Sequence, residues 1–350
     1  MKRFLFLILV GFASNVFSQT NFVKYSEEAY YHFQQNDLIS AIKKYSKALE
    51  FKSEASNGYK IADVYLNRGL CRQLLQSYQG AIADFDEALA IKPEYVKLYQ
   101  AKTSAYIYSK QYQEALKCAN KGLEIKPNDA ELIGKKAETF SKMKKYDDAI
   151  STLKLLLEDN PRNKKAMKYI AHNYQMKKNW DSALKFFSEA IVLDPLDYAS
   201  FYDRGIAYAE TNDTTSALKD IKHAMELDSL EKWVGYNNIA YFIKLEQKDY
   251  KGAIQMFDKA IALNPDFPYA YSNRGFAKLQ LGDMKGAYQD VKKSLLMDSK
   301  NSYAYKNLAL IYLKDGKKSD ACYNLKKALE LGYTEEYDDD AKNLLTENCK

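Results

Sequence analysis

The chain has 350 residues, 47% of them hydrophobic and 28% charged, a balance that excludes an intrinsically disordered chain and leaves length for a large core. With 14 Gly and 6 Pro it is too poor in turn formers for an all-β fold. A formal charge of +6 is too mild for the concentrated basic face of a nucleic-acid binder, so nucleic acid is not expected as a partner.

Residues 1–18 read as a secretory signal peptide. Lys2 and Arg3 supply its positive end, Phe4–Val10 its apolar run, and Val16-Phe17-Ser18 ends in a small residue suited to cleavage before Gln19. The run stops at Gly11, short of the roughly 20 residues that span a bilayer. Removal of Lys2 and Arg3 would lower the formal charge from +6 to +4. No later stretch reaches transmembrane length, and no Cys stands near the cut to carry a lipid. The expectation is an exported protein with no integral membrane segment after cleavage.

A 13-residue pattern then recurs along the chain. It is AIADFDEALAIKP at Ala81–Pro93, ALKFFSEAIVLDP at Ala183–Pro195 and AIQMFDKAIALNP at Ala253–Pro265, each an amphipathic helix stopped by Pro. Its opening Ala recurs at Ala41, Ala81, Ala115, Ala149, Ala183, Ala217, Ala253, Ala287 and Ala321, in steps of 40, 34, 34, 34, 34, 36, 34 and 34 residues. A period near 34 held over most of a chain is a repeat architecture. Seven residues after each Ala stands a small residue in all units but one, where Leu156 takes the place. Twelve residues before it stands another: Ala29, Gly69, Thr103, Ala137, Ala171, Gly205, Gly275 and Ala309. In the seventh unit the small residue, Ala240, lies thirteen before, which places one inserted residue in that unit's turn.

This pattern resembles the tetratricopeptide repeat (TPR), whose motif sets an aromatic, Leu-Gly and Tyr on a first helix and Ala, Phe, Ala and Pro on a second. The sixth unit carries Phe201, Arg204-Gly205, Tyr208, Ala217, Ile221 and Ala224; the second carries Tyr65, Arg68-Gly69, Ala81, Phe85, Ala88 and Pro93. The resemblance covers residues 22–335 as nine units: 22–55, 62–95, 96–129, 130–163, 164–197, 198–231, 233–267, 268–301 and 302–335. It implies an all-α, right-handed α-solenoid of helix-turn-helix units. Ser56–Ile61 reads as a spacer, and residues 337–350, opening on Asp338-Asp339-Asp340, as a C-terminal capping helix.

Where the motif expects Leu before the Gly, three units place Arg68, Arg204 and Arg274, and the same three carry Asp84, Asp220 and Asp290 three residues after the register Ala. Those arginines could contact a ligand; the co-occurrence favours internal Arg–Asp pairs joining the two helices of each unit. Cys322 lies on the second helix of the ninth unit and Cys349 on the cap. In an oxidising compartment the two can bond and staple the cap down; in a reducing one they stay thiols. Cys71 and Cys118 read as small buried residues. His32, His172 and His223 sit at different phases, so no metal site is implied, and no phosphate loop, nucleophile elbow or cofactor motif is present.

In a TPR array the first helices line a concave groove. One stripe there varies between units while the framework does not: Lys97, Glu131, Lys165, Lys168, His172, Tyr202, Asn237, Tyr269, Tyr303 and Lys306. A plain solvent face varies in the same way, but tyrosines are suited to contact and favour a binding surface. The Lys/Asn/Arg carboxylate clamp of chaperone-binding TPR domains is not found in order. The resemblance implies a non-catalytic scaffold that holds a peptide or partner protein in the groove. Its similarity to secreted TPR proteins of Gram-negative bacteria implies the periplasm or outer envelope. Two other readings remain: a self-assembling structural module of the envelope, and an enzyme-associated TPR protein with a site in the groove.

Overall fold

The computed structural model describes residues 20–228, 232–336 and 339–349. The signal peptide, residues 1–18, lies outside them, as do residues 229–231 between the sixth and seventh units and residues 337, 338 and 350 of the cap. The chain divides between Asp159 and Asn160 into two compact bodies, and no residue among those described is in a strand.

The first body holds four helix pairs: α1 (Asn21–Gln34) with α2 (Leu38–Glu50), α3 (Gly58–Leu74) with α4 (Tyr78–Ile91), α5 (Val96–Tyr108) with α6 (Tyr112–Ile125), and α7 (Ala130–Lys142) with α8 (Tyr146–Asp159). The second body continues with α9 (Lys164–Met176) and α10 (Trp180–Leu193), then α11 (Tyr198–Glu210) and α12 (Thr214–Leu227). There follow α13 (Lys232–Asn238) with α14 (Tyr250–Leu263), α15 (Pro268–Gln280) with α16 (Met284–Met297), and α17 (Ser302–Lys314) with α18 (Lys318–Glu330). Within each body the first (A) helix of a pair packs on its second (B) helix, and each B helix packs on the next A helix, the arrangement of an α-solenoid.

Each A helix turns into its B helix through a residue with positive φ, always five before the register Ala: Asn36, Gln76, Lys110, Lys144, Lys178, Asn212, Lys248, Gly282 and Gly316. Only the last two use glycine, the residue that adopts this conformation without steric cost. The next residue begins the B helix, and where it is Asp or Asn its side chain caps the new helix. Asp37 accepts from the Ser40 N–H at 3.1 Å, Asn179 from Ser182 at 3.2 Å and Asp249 from Gly252 at 2.9 Å. Prolines end B helices, except Pro268, which takes the first position of α15, where its missing N–H costs nothing.

The core is built from two positions of the repeat. Four residues after each register Ala stands a buried side chain, among them Tyr45, Phe85, Phe187, Ile221, Phe257, Val291 and Leu325. It packs against the small residue twelve before the Ala. A Cβ added at Gly69 would lie 2.5 Å from the Phe85 ring, and one at Gly205 or Gly275 would lie 2.8 Å from Ile221 or Val291.

Two features differ from the repeat register. The inserted residue of the seventh unit is not in the turn, which keeps its left-handed residue at Lys248. It is absorbed inside the A helix, where Ile239–Leu245 runs as a π-helix continuing α13. A π turn holds one more residue than an α turn over the same rise, so the helix takes up the insertion and leaves the turn intact. The Ser56–Ile61 spacer is shorter than expected, because α3 starts at Gly58 behind Asn57, whose side chain accepts from the Lys60 N–H at 3.0 Å.

After α18, a short helix α19 (Tyr333–Glu336) leads to α20 (Asp340–Asn348), which lies on α18. Cys349 is bonded to Cys322 with their Cα atoms 5.7 Å apart, closing a 27-residue span.

The two glycines Gly69 and Gly134 set opposite expectations. Gly69→Ala should destabilise by about 1–3 kcal/mol, because the Phe85 ring cannot retreat from a fully buried site. Gly134, with nothing within 4 Å of an added Cβ, should gain about 0.5–1 kcal/mol on the same change from helix propensity. Chemical denaturation of the two variants checks the contrast; a Gly69→Ala protein as stable as wild type would refute the packing account.

Candidate partner-binding surface

The arginine sites are internal. Arg68 meets Asp84 through Nη2 at 2.6 Å and Nε at 3.1 Å, and Arg72 reaches the same carboxylate at 2.8 Å. Arg204 holds Asp220 at 2.6 and 2.9 Å, and Arg274 holds Asp290 at 2.6 and 2.8 Å with Lys278 alongside at 2.8 Å. The three carboxylates are buried. Each guanidinium also uses Nη1 to reach back to the preceding B helix: to Ser46 at 3.0 Å, Ser188 at 3.1 Å and Asp258 at 2.6 Å. These acceptors all stand five after their register Ala, a repeat-level signal present in the sequence. The first unit carries the same pair with its signs exchanged, Glu28 on the A helix and Lys44 on the B helix at 2.5 Å. The bond from Lys44 holds the Glu28 carboxyl below the usual range.

The A-helix stripe is more occupied than its variability implies. In the first body Lys97 is exposed and Glu131 pairs with Lys135 at 3.4 Å. In the second body a ladder of side-chain contacts runs from α9 to the end of α10 and the start of α11. Lys164 pairs with Asp194, Lys168 with Asp197 at 2.7 Å, and His172 with Asp203 at 3.3 Å. The partners lie 29 to 31 residues apart, one repeat less about one helical turn. That spacing was readable in the sequence. Burial pushes the Asp197 carboxyl up, but the bonds from Lys168 and Ser200 outweigh it and hold it below the usual range. Asp203 goes the other way: burial raises it, and the nearby His172 and Lys168 pull it back only in part.

Three residues of the expected stripe are not open. Tyr202 is 5% exposed, because Gly235 on the next A helix has no side chain and the Tyr202 hydroxyl and Met225 fill the space. Tyr303 and Lys306, 7% and 6% exposed, are covered by the C-terminal segment. Tyr333 stacks on Tyr303 with centroids 6.2 Å apart, and Asp340 lies 3.8 Å from the Lys306 ammonium, which also sits over the rings of Phe276, Tyr303 and Tyr333. A stripe drawn from one repeat cannot show what its neighbour or the cap lays over it.

What stays open is a different set. Lys165 is exposed beside Tyr169, itself 47% exposed, and Met176 at the end of the same helix is 61% exposed. Tyr269 is 37% exposed. Asn237 does not belong to this set: it is half-buried, and its Oδ1 is buried without a hydrogen bond. Tyr169 and Met176 were missed because they stand fourteen and seven residues before the register Ala, outside the phases of the stripe, which runs at eighteen, fifteen and eleven before it.

Cys71 and Cys118 are buried free thiols; burial pushes Cys71 up to about 12 and raises Cys118, so neither is poised as a nucleophile. Among the described residues no helix is long and apolar enough to cross a membrane, and no His, Cys, Asp and Glu side chains converge to hold a metal.

Tetratricopeptide-repeat families match residues 26–96, 75–138 and, as a TPR repeat, 243–282. The fold is similar to that of a tetratricopeptide repeat protein from Parabacteroides merdae, at 17% identity and a TM-score of 0.62 over 73% of this chain and 99% of that one. It is similar too to the C-terminal part of a TPR repeat-containing protein from Cytophaga hutchinsonii, at 17% identity and a TM-score of 0.52 over 71% and 98%. No curated protein matches the chain.

Two measurements test the electrostatics. Asp220→Ala should cost about 3–5 kcal/mol by stranding a partly buried Arg204, whereas Glu50→Ala, which breaks the exposed Lys47–Glu50 pair, should cost less than about 1 kcal/mol. Equal small losses would show that the internal pairs hold nothing together. For Asp203 the folded value lies above the unfolded one, so its contribution is full below about 3.8 and is lost as pH rises through the folded value. The stability of wild type relative to Asp203→Asn should therefore fall as pH rises from about 4 to about 7 in urea titrations; a difference that grows with pH would mean the His172 pair dominates.

Proposed function

We propose that this chain, a tetratricopeptide-repeat protein and so a protein–protein interaction scaffold, acts in the bacterial envelope and holds a peptide segment of its partner on the A-helix face of its second body. Proteins of this repeat class bind protein partners and are generally non-catalytic. The observation that carries the reading is the set left uncovered on that face. Tyr169, Met176 and Tyr269 present large apolar area to solvent, beside the Lys165 charge. Exposed Tyr side chains supply large contact area at low entropic cost, and the flexible, polarisable Met chain adapts to the surface it meets. Export is supported by the charged and apolar pattern of residues 1–18 and by the Cys322–Cys349 bond, which suits an oxidising compartment.

The test is affinity capture from envelope extracts with wild type and with Tyr169→Ala/Tyr269→Ala. Loss of a captured partner, about tenfold or more, is the expected result for two central contacts, and an unchanged set sinks the proposal. N-terminal sequencing of the same envelope protein should begin at Gln19; a chain beginning at Met1 in the cytoplasm would remove the export reading.

A further inference from the structure

The π-helical insertion has a consequence on the opposite side of the seventh A helix. In the second body, α12 packs more sparsely on the following A helix than α10, α14 or α16 do on theirs. Between α12 and the π stretch lies a cleft of about 480 Å³, within the size range of small-ligand and side-chain pockets. Its floor is apolar: Leu218 from α12, and Ile239 and Ile243 from the π stretch. Its rim is basic on both walls, with Lys219 and Lys222 on α12 and Lys244 opposite. Of these three, only Lys244 is in an ion pair among the described residues, with Asp249 at 3.0 Å. Lys219 and Lys222 are exposed, one turn apart on one helix, and leave two positive charges facing the cleft mouth.

From this geometry we infer that the cleft between α12 and the π-helix is a second docking site, for an acidic peptide segment that places an apolar side chain on the Leu218–Ile239–Ile243 floor and carboxylates on Lys219 and Lys222. Three observations converge on it. The one departure from the 34-residue register within a helix lies in its wall, and π turns inside α-helices recur at functional sites. The cleft also lies where α12 packs more sparsely on the following A helix than α10, α14 or α16 do on theirs. Finally, the two α12 lysines are a charge surplus that an acidic segment neutralises, which selects against basic or neutral partners. The apolar floor distinguishes the site from a plain basic surface, since a highly charged ligand without an apolar side chain would leave it uncovered and in contact with water.

The probe is a fluorescein-labelled peptide, Asp-Glu-Leu-Phe-Glu-Asp, measured by fluorescence anisotropy against the full chain. Lys-Lys-Leu-Phe-Lys-Lys and Asp-Glu-Ser-Ser-Glu-Asp serve as the basic and the non-apolar comparisons. Only the first should bind. Lys219→Glu/Lys222→Glu should weaken it about tenfold or more, while Lys285→Glu/Lys292→Glu, the same charge change on exposed positions of α16, should leave it unchanged. Hydrogen-exchange protection on binding should fall on residues 214–222 and 239–247. Thermal melts of both double variants matching wild type exclude unfolding as the cause. The inference is overturned by no binding, by equal binding of the Ser-containing peptide, by equal weakening in both double variants, or by protection on α9 and α15 in place of the cleft. The last outcome would assign the peptide to the A-helix face and leave the proposed function standing without this site.

Discussion

Two helices can approach closely only where one of them carries almost no side chain, and this chain repeats that condition in every unit. Gly69 leaves the ring of Phe85 a place to sit, and Gly205 and Gly275 do the same for Ile221 and Val291. The buried residue on the B helix is then sealed between the two helices of its own unit. A fully buried Phe or Ile is worth about 1.5–3 kcal/mol, too little to fold a single pair, so the pair must also cover its outer face with its neighbour. Periodicity follows: one position stays small and its partner large, except in the third unit, where Thr103 meets Ala119 and the two roles are exchanged.

Charged groups inside such a stack must be paired. Arg204 shows how the chain does this, with one edge of the guanidinium on Asp220 of its own B helix and the remaining nitrogen on Ser188 of the B helix before it. One planar fork thereby fixes three helices at once, a use of geometry that lysine could not reproduce. The net stability of such a pair is small, because desolvation offsets the attraction. Other units bear this out by doing without it: Ile170 and Leu308 occupy the arginine position and are buried among apolar neighbours. Alignment of successive pairs, more than stability, is what the arginines add.

The fold could be read almost entirely from the spacing of Ala, Gly and Pro, because those residues report on contacts within one unit. What could not be read depends on contacts between units. The A-helix stripe was defined by its variation, but variation does not say what lies above a residue. Tyr202 is covered because position 235, in the next unit, happens to be Gly; Tyr303 and Lys306 are covered because the cap returns over them. The spacing of about 30 residues that links Lys168 to Asp197 and His172 to Asp203 was available, and it would have shown that these side chains are engaged. The placement of the extra residue of the seventh unit was not available. A count of residues cannot tell a longer turn from a π-helix; only the preserved left-handed Lys248 decides it.

The engaged ladder bears on where an acidic partner would gain most. On α9 such a partner would have to displace Asp197 from Lys168 and Asp203 from His172, exchanging one carboxylate for another at little net gain. That face rewards apolar contact through Tyr169, Met176 and Tyr269. On α12, Lys219 and Lys222 are in no ion pair among the described residues, and Glu226, the carboxylate one turn from Lys222, lies against His223 at 3.6 Å, so a carboxylate arriving there forms contacts without displacing one from either lysine. The two surfaces of the second body therefore differ in the chemistry they favour. The A-helix face, with its charges already matched, selects by shape and apolar area; the cleft beside the π stretch selects by charge. A repeated framework thus offers a second chemistry beside the helix that takes up an extra residue.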